Sequence, residues 1–214
     1  MEDLFKVIFD DIFAGQSKKS RLQKNGDTGF ELDYWIQELR NQGKQPIHYE
    51  TTKNAEIIII FREPIDEEML HIVLRSKIFS QEGIRSFTPS MNLLYKKKNE
   101  ILEIADLRVE VQDANKGYGS AFMRALFLLI EEFPYPIKYI TGWIAGTDWG
   151  HIDRNKYFYE KFRFEVKLDH EIRDGYILWI NSAKTGSKEH YESLNYKPGI
   201  AGLMQELSEY EDEE

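Results

Sequence analysis

The chain has no cysteine among its 214 residues and no long run of apolar residues. The absence of cysteine excludes disulfides, thiolate metal sites and a cysteine nucleophile. A membrane-spanning helix needs roughly 20 consecutive apolar residues, and no segment approaches that length. The first residues include Glu2 and Asp3, whereas a secretory signal begins with basic groups. We therefore expect a cytoplasmic protein that does not associate with a membrane.

Positive charge is also scarce, because 28 Lys and Arg residues stand against 37 Asp and Glu residues. The formal net charge is −9 and the isoelectric point is near 5.2. Nucleic-acid binding depends on clustered cations that neutralise phosphates, so this balance argues against a nucleic-acid partner. Residues 206–214 are rich in Glu and Asp, which is typical of a solvated tail rather than of a site.

The residues that are present suit a globular protein, with a hydrophobic share of 42% and an aromatic share of 14%. This length favours one domain with appendages over two domains. We expect an N-terminal helical extension at 1–50 that packs on the same domain. A central domain then occupies 51–182, and a C-terminal segment at 183–214 ends in the acidic tail.

Apolar spacing predicts the secondary structure. Helices are expected over 4–12, 31–42 and 66–79, with a polar loop over 15–29. Four consecutive isoleucines within 55–61 indicate a buried strand. The dipeptide Asp174-Gly175 is a strong hairpin signal and predicts the turn between the last two strands. Further strands are expected over 93–97, 100–110, 137–144, 164–168 and 176–180.

Residues 101–129 combine a strand, a glycine-containing loop and a helix without a spacer. Residues 103–110 alternate with a period of two, and the apolar residues from 122 to 130 follow the helical period. Between them lie Gly117 and Gly119, whose lack of side chains lets backbone N–H groups and the positive end of the helix approach a phosphate. The order predicts an anion cradle that suits a diphosphate.

Two common phosphate loops do not fit this segment. A dinucleotide-binding fingerprint requires a third glycine where this chain has Phe122, and a P-loop ends in Gly-Lys-Ser/Thr, which is absent. The segment does resemble motif A of the GCN5-related N-acetyltransferase (GNAT) superfamily, Arg/Gln-x-x-Gly-x-Gly/Ala after a strand that ends in Leu-x-Val. Here the strand reads Leu107-Arg108-Val109 and the loop reads Ala114-Asn115-Lys116-Gly117-Tyr118-Gly119. Ala114 departs from the usual Arg or Gln.

A second stretch, about forty residues further on, is similar to motif B of the same superfamily. The pattern Tyr-Glu-Lys-x-Gly-Phe is matched by Tyr159, Glu160, Lys161 and Phe164. Arg163 stands where glycine is usual, and Asn155 stands where a small residue is usual. The alternative interpretation of these aromatic residues is a helix face that packs in a core. The order of the two motifs favours the family, and the resemblance covers about residues 90–182.

The resemblance implies an α/β protein with a central mixed sheet flanked by helices and with strands that splay at an acetyl-CoA groove. It implies an acetyl-CoA-dependent N-acetyltransferase whose acceptor is an amine-bearing small molecule or a peptide, with no metal. The alternative is a non-catalytic binding or regulatory module of the same fold. The residues implied for acetyl-CoA binding are Leu107, Val109, Asn115, Lys116, Gly117, Tyr118, Gly119, Ser120 and Asn155.

The resemblance also implies roles in catalysis. Tyr159 would be the general acid on the departing sulfur, and Glu103 would be the base, acting through water. The backbone N–H of Leu107 would address the acetyl oxygen. The alternative interpretation of Glu103 is an exposed strand carboxylate. Residues 1–50 match no motif, and we expect them either to cover the substrate side or to form a homodimer contact.

Overall fold

The structure is a computed structural model that describes residues 28–64, 70–80, 83–85, 88–184 and 186–199. The predicted helix at 4–12, the acidic tail at 206–214 and most of the predicted loop at 15–29 lie outside the described residues. The chain divides into two compact units. Unit 1 contains the described residues within 1–64, 74–90 and 108–125, and unit 2 contains those within 65–73, 91–107 and 126–214. No helix in the described part of the chain is long and apolar enough to cross a membrane.

Unit 1 begins with helix α1 (Thr28–Asn41) and three antiparallel strands, β1 (Gln45–Thr51), β2 (Ile57–Arg62) and β3 (His71–Ser80). The short strand β4 (Gly83–Ile84) pairs with the end of β3. The predicted helix 31–42 and strand 55–61 are confirmed, and the helix ends before Gly43, whose φ is 72°. A core cluster joins α1 to β2 and β3 through Trp35, Leu39, Ile57, Ile59, Phe61 and Phe79.

The predicted helix 66–79 is wrong where the structure describes it, because His71–Ser80 is strand β3. Its buried residues include Ile72, Leu74, Ser76 and Ile78, which recur every second position. The adjacent apolar residues Ile72, Val73 and Leu74 led to the helix prediction, because over so few residues they are also consistent with one side of a helix. The β-branched residues and the antiparallel pairing with β2 decide the outcome in favour of a strand.

Unit 2 contains a mixed sheet. Its strands are β5 (Ser90–Lys96), β6 (Ile101–Arg108), β7 (Tyr139–Ile144), β8 (Glu165–Asp169) and β9 (Asp174–Ile180), in the spatial order β5-β6-β7-β9-β8. Strands β6 and β7 are parallel, whereas β7–β9 and β8–β9 are antiparallel. Helices α3 (Ile152–Lys161) and α4 (Lys188–Ser193) belong to unit 2, whereas α2 (Tyr118–Glu132) begins in unit 1 and its residues from Leu126 belong to unit 2.

These elements confirm the predicted fold class, a mixed β-sheet with helices. The expected turn at Asp174-Gly175 is wrong, because both residues belong to β9 and pair with β8. The turn lies at residues 170–173, where the Asp169 carboxylate accepts hydrogen bonds from the N–H groups of Glu171 (2.9 Å) and Ile172 (3.3 Å). Such an Asx turn competes with the Asp-Gly signal that begins five residues after Asp169.

Candidate functional site

Strand β6 separates from its parallel neighbour part of the way along its length. The ladder pairs Ile101–Ile104 of β6 with Tyr139–Gly142 of β7. Strand β6 nevertheless runs on to Arg108, and β7 runs on to Ile144 in pairing with β9. The parallel register thus ends at Ile104 and Gly142 although both strands continue, as expected for the strand divergence that the resemblance implies.

The last pair of this ladder is a close approach of two backbones. A Cβ atom on Gly142 would lie 2.9 Å from the carbonyl oxygen of Ile104, so only glycine fits there without a shift. Burial changes at the same point, since Ile101–Ile104 are buried and Ala105 and Asp106 are exposed. Leu107 is half-buried in the separated part of β6, and Val109, also half-buried, follows the strand.

Glu103, the predicted base, is buried at 6% exposure rather than displayed on an open strand. The Gly199 N–H donates to its Oε1 at 2.8 Å, and the Tyr196 hydroxyl donates to its Oε2. Both donors come from the segment that follows α4. Each carboxylate oxygen has room for a second hydrogen bond, so these contacts leave acceptor capacity for a water. The placement excludes the alternative of an exposed strand carboxylate.

The loop between β6 and α2 has positive φ angles at two positions. We call residues 114–117 the glycine loop; within it Asn115 has φ 64° and Gly117 has φ 99°. Among the described residues outside its chain neighbours, nothing lies within 4 Å of the position that a Cβ of Gly117 would occupy. The Ala121 N–H donates to the Gly117 carbonyl at 3.0 Å, so the N–H groups of Tyr118 and Gly119 precede the hydrogen-bond ladder of α2.

The side chains of this segment are held inside unit 1. Lys116 Nζ lies 2.8 Å from Asp113 Oδ1, and the ring of Tyr118 is 1% exposed. Burial and a hydrogen bond to Glu56 raise the pKa of the Tyr118 phenol above its ordinary value. What the segment offers a ligand is therefore its backbone, together with the half-buried Gly119 and Ser120 at the start of α2.

Tyr159, the predicted acid, lies in the last turn of α3 and packs edge-on against Phe158 and Phe164, with ring centroids 5.1 Å and 5.8 Å away. Burial, followed by the charges of Asp148 and Asp106, raises the pKa of its phenol above the ordinary value. The phenol thus keeps its proton at neutral pH, as a general acid requires. Asn155 is half-buried one turn earlier in α3.

The turn at the end of α3 explains why motif B usually has a glycine where this chain has Arg163. The Arg163 N–H donates to the Glu160 carbonyl (2.9 Å) and the Phe164 N–H donates to the Tyr159 carbonyl (3.2 Å). These two bonds form a Schellman motif, in which the residue after the C-cap is left-handed. Arg163 occupies that position with φ 67°. The departure from the motif therefore changes the residue and leaves the turn intact.

Sequence reasoning missed the partners of these residues. Tyr196 and Gly199 lie 93 and 96 positions from Glu103. Arg85 lies 28 positions from Asp113, and Glu56 lies 62 positions from Tyr118. No motif connects them. Asp113, a carboxylate directly before the glycine loop, was the one residue near the motif that could have indicated a charged partner.

No protein-family model matches the chain. YocC, an uncharacterized protein of Bacillus subtilis (strain 168), is 34% identical over 90 residues, which are 42% of this chain. The match covers 52% of YocC, so the chain spans about half the length of that curated relative.

Three solved structures are similar in part. A domain from Methanocaldococcus jannaschii DSM 2661 has a TM-score of 0.41 at 13% identity, over 52% of this chain and 67% of its own. Naa50 of Arabidopsis thaliana, in complex with the bisubstrate analogue CoA-Ac-MVNAL, has a TM-score of 0.36 at 17% identity, over 49% and 70%. Spermidine N-acetyltransferase from Vibrio cholerae, in complex with CoA and spermine, has a TM-score of 0.37 at 13% identity, over 83% and 93%. Similarities with TM-scores below 0.5 do not show the activity of this chain.

Proposed function

We propose that the chain is an acetyl-CoA-dependent N-acetyltransferase that acts on an amine acceptor by direct attack in a ternary complex. The observation that carries the proposal is the separation of β6 from β7 after Ile104, in a strand that leads into the glycine loop and α2. Beyond that point, the backbone groups of Ala105, Asp106 and Leu107 on the β7 side can pair with another extended chain. An extended chain with its own amide groups, such as the pantetheine arm, supplies such partners.

The glycine loop suits the diphosphate of the same ligand. Gly117 holds a backbone conformation that a side chain would strain, and the space beside it accommodates an approaching group. The helix that follows presents its positive end and its first N–H groups, which favour an anion. The candidate acetyl-CoA-binding residues of this region would therefore contribute main-chain atoms from Asn115 to Ser120, with Val109 before them and Asn155 from α3.

The chemistry needs three groups from the chain. When bound, acetyl-CoA supplies the acetyl group and a thiolate leaving group. The backbone N–H of Leu107 would donate to the acetyl oxygen as charge develops there. Tyr159 would hold a proton at its phenolic oxygen for the thiolate, and Glu103 would accept the proton of the amine through a water. The absence of cysteine from the sequence excludes an acetyl-cysteine intermediate.

A second candidate is a binding or regulatory module that does not catalyse transfer. The observation that favours it is the contact between Glu103 and the segment after α4, where Tyr196 and Gly199 each donate to one carboxylate oxygen. Such contacts suit a residue that anchors a segment. Ala114, in place of the usual Arg or Gln, points the same way.

Two measurements test the proposal in sequence. Acetyl-CoA should raise the melting temperature of the protein, because a ligand that binds only the folded state stabilises it. Thiol release should then be followed over a panel of polyamines, amino sugars and peptides with free amines. Stabilisation with thiol release supports the enzyme, stabilisation without release on any amine supports the binding module, and no stabilisation contradicts both.

A further inference from the structure

One guanidinium group contacts the residues on both sides of the glycine loop. Arg85, which follows β4, donates from Nη1 to Asp113 Oδ1 at 2.9 Å and to the Tyr118 phenolic oxygen at 2.8 Å. Asp113 directly precedes residues 114–117, and Tyr118 directly follows them. A single nitrogen atom of Arg85 therefore contacts the residues at both ends of the loop.

The two residues that Arg85 joins are themselves buried, at 4% exposure for Asp113 and 1% for Tyr118. Burial alone would raise the pKa of the Asp113 carboxyl, yet the hydrogen bonds from Lys116 and Arg85 lower it below the ordinary value. The Tyr118 hydroxyl in turn donates to Glu56 on the segment before β2. A buried charge that loses a partner is strongly unfavourable, so this network has one low-energy arrangement.

The loop needs such external support. Asn115 and Gly117 are both left-handed, and the Lys116 N–H reaches the Asp113 carbonyl only at 3.4 Å. Glycine adopts such a conformation without strain, so the strain lies at Asn115, and it persists where the surroundings fix it. Asp113 and Tyr118, at the two ends of the loop, also contact Lys116 and Glu56, but Arg85 is the residue that contacts both of them.

We propose that Arg85 is a positioning residue that holds the glycine loop in the conformation that binds the diphosphate. The inference rests on the proposed function for the identity of the ligand. Arg85 acts through Asp113 and Tyr118, and the ligand contact belongs to the backbone of the loop. A binding segment fixed in this way needs no ordering when the ligand arrives, so removal of Arg85 should weaken binding of the diphosphate part in particular.

The experiment compares Arg85→Gln with the parent protein. Calorimetry gives the affinity for CoA, ligand-detected NMR gives the affinity for pantetheine, which lacks the diphosphate, and hydrogen exchange without ligand gives the mobility of residues 113–121. We expect Arg85→Gln to weaken CoA binding by about tenfold, to leave pantetheine binding unchanged and to speed exchange in the loop. Arg85→Lys should recover part of the CoA affinity, because one nitrogen makes both contacts.

Arg124→Gln is the matched control. Arg124 lies on α2 and pairs with Glu50, with Nε 2.7 Å from the carboxylate, so its loss removes the same charge and also breaks an ion pair. The control should leave CoA affinity and loop exchange unchanged. If Arg85→Gln does not fold, Tyr118→Phe removes one of the two Arg85 contacts, keeps the ring and should show the same selective loss to a smaller degree.

The outcomes separate this inference from the proposed function. A parent protein that does not bind CoA contradicts the proposed function. A parent that binds CoA, with an Arg85→Gln variant that binds it equally well, contradicts only the positioning role. If Arg85→Gln loses affinity for CoA and pantetheine equally, or if Arg124→Gln loses as much CoA affinity, Arg85 only stabilises the fold and the inference is overturned.

Discussion

The glycine loop and helix α3 offer a ligand different kinds of atoms. The loop offers backbone, because Lys116 and Tyr118 turn their side chains to Asp113 and Glu56. Helix α3 offers a side chain, the phenol of Tyr159, whose pKa is raised by burial and by nearby carboxylates. The difference explains which departures from the motifs each segment tolerates. Under the proposed function, a backbone site depends on conformation and would tolerate Ala114, whereas a side-chain site depends on residue identity and would require Tyr159.

The comparison makes a first prediction at Tyr159. Tyr159→Phe keeps the ring against Phe158 and Phe164 and removes only the hydroxyl. If the hydroxyl gives its proton to the thiolate, turnover should fall by roughly 10²-fold while CoA affinity stays the same. Steady-state rates of thiol release, with calorimetry for CoA, check both parts. Tyr157→Phe is the control, since Tyr157 is on the same helix but 71% exposed. Unchanged turnover in Tyr159→Phe would make Tyr159 a packing residue.

The second prediction concerns the backbone half of the comparison. Gly117→Val places a Cβ in open space but forces a β-branched residue to φ 99°. CoA affinity should fall by at least about tenfold, with turnover at saturating CoA less affected. Gly43→Val is a matched control, because Gly43 also has positive φ and open space at its Cβ position. Both variants should lose stability by similar amounts, and only Gly117→Val should lose CoA affinity in calorimetry. A folded Gly117→Val protein that binds CoA like the parent would refute the loop assignment.

Glu103 tests whether unit 2 supplies a base or an anchor. Glu103→Gln removes proton acceptance, so the rate at neutral pH should fall by about tenfold and recover in alkali as the amine loses its proton unaided. Tyr196→Phe removes one donor to Glu103 and keeps the carboxylate. A pH–rate profile of both variants decides between the roles. The base predicts a pH-dependent deficit in Glu103→Gln alone, whereas an anchor predicts similar deficits in both, independent of pH.

The sequence predicted the order of strand β6, the glycine loop and helix α2 because each depends on local patterns. The alternation of β6, the glycines and the apolar spacing of α2 all act over a few residues. The same locality explains the error at β3, where a run of apolar residues over one turn resembled a helix face. Pairing with β2, which decided the matter, involves residues up to 22 positions away, as in Ile57 with Phe79.

The candidate residues were predictable only as positions in motifs. Their surroundings were not, because Glu103 is buried by residues 196 and 199, and Asp113 is paired with Arg85. Contacts between residues so far apart in sequence leave no periodic signal. Arg163 is an intermediate case, since the motif usually has glycine there and the chain keeps a left-handed residue at that position without the glycine.

The last prediction concerns Arg163 and the free energy of unfolding. Arg163 is exposed at the end of α3 and has a φ of 67°, whereas the glycine loop has a glycine, Gly117, at its φ of 99°. An L-residue in this region is strained by roughly 1–2 kcal/mol. The greater freedom of glycine in the unfolded chain offsets part of the gain. Arg163→Gly should therefore raise the free energy of unfolding by about 0.5–1 kcal/mol, seen as a melting temperature higher by about 1–4 °C. Arg154→Gly, inside the same helix, should lower the free energy of unfolding by about 1 kcal/mol. A loss of stability in Arg163→Gly would mean that the Arg163 side chain contributes more than its backbone conformation costs.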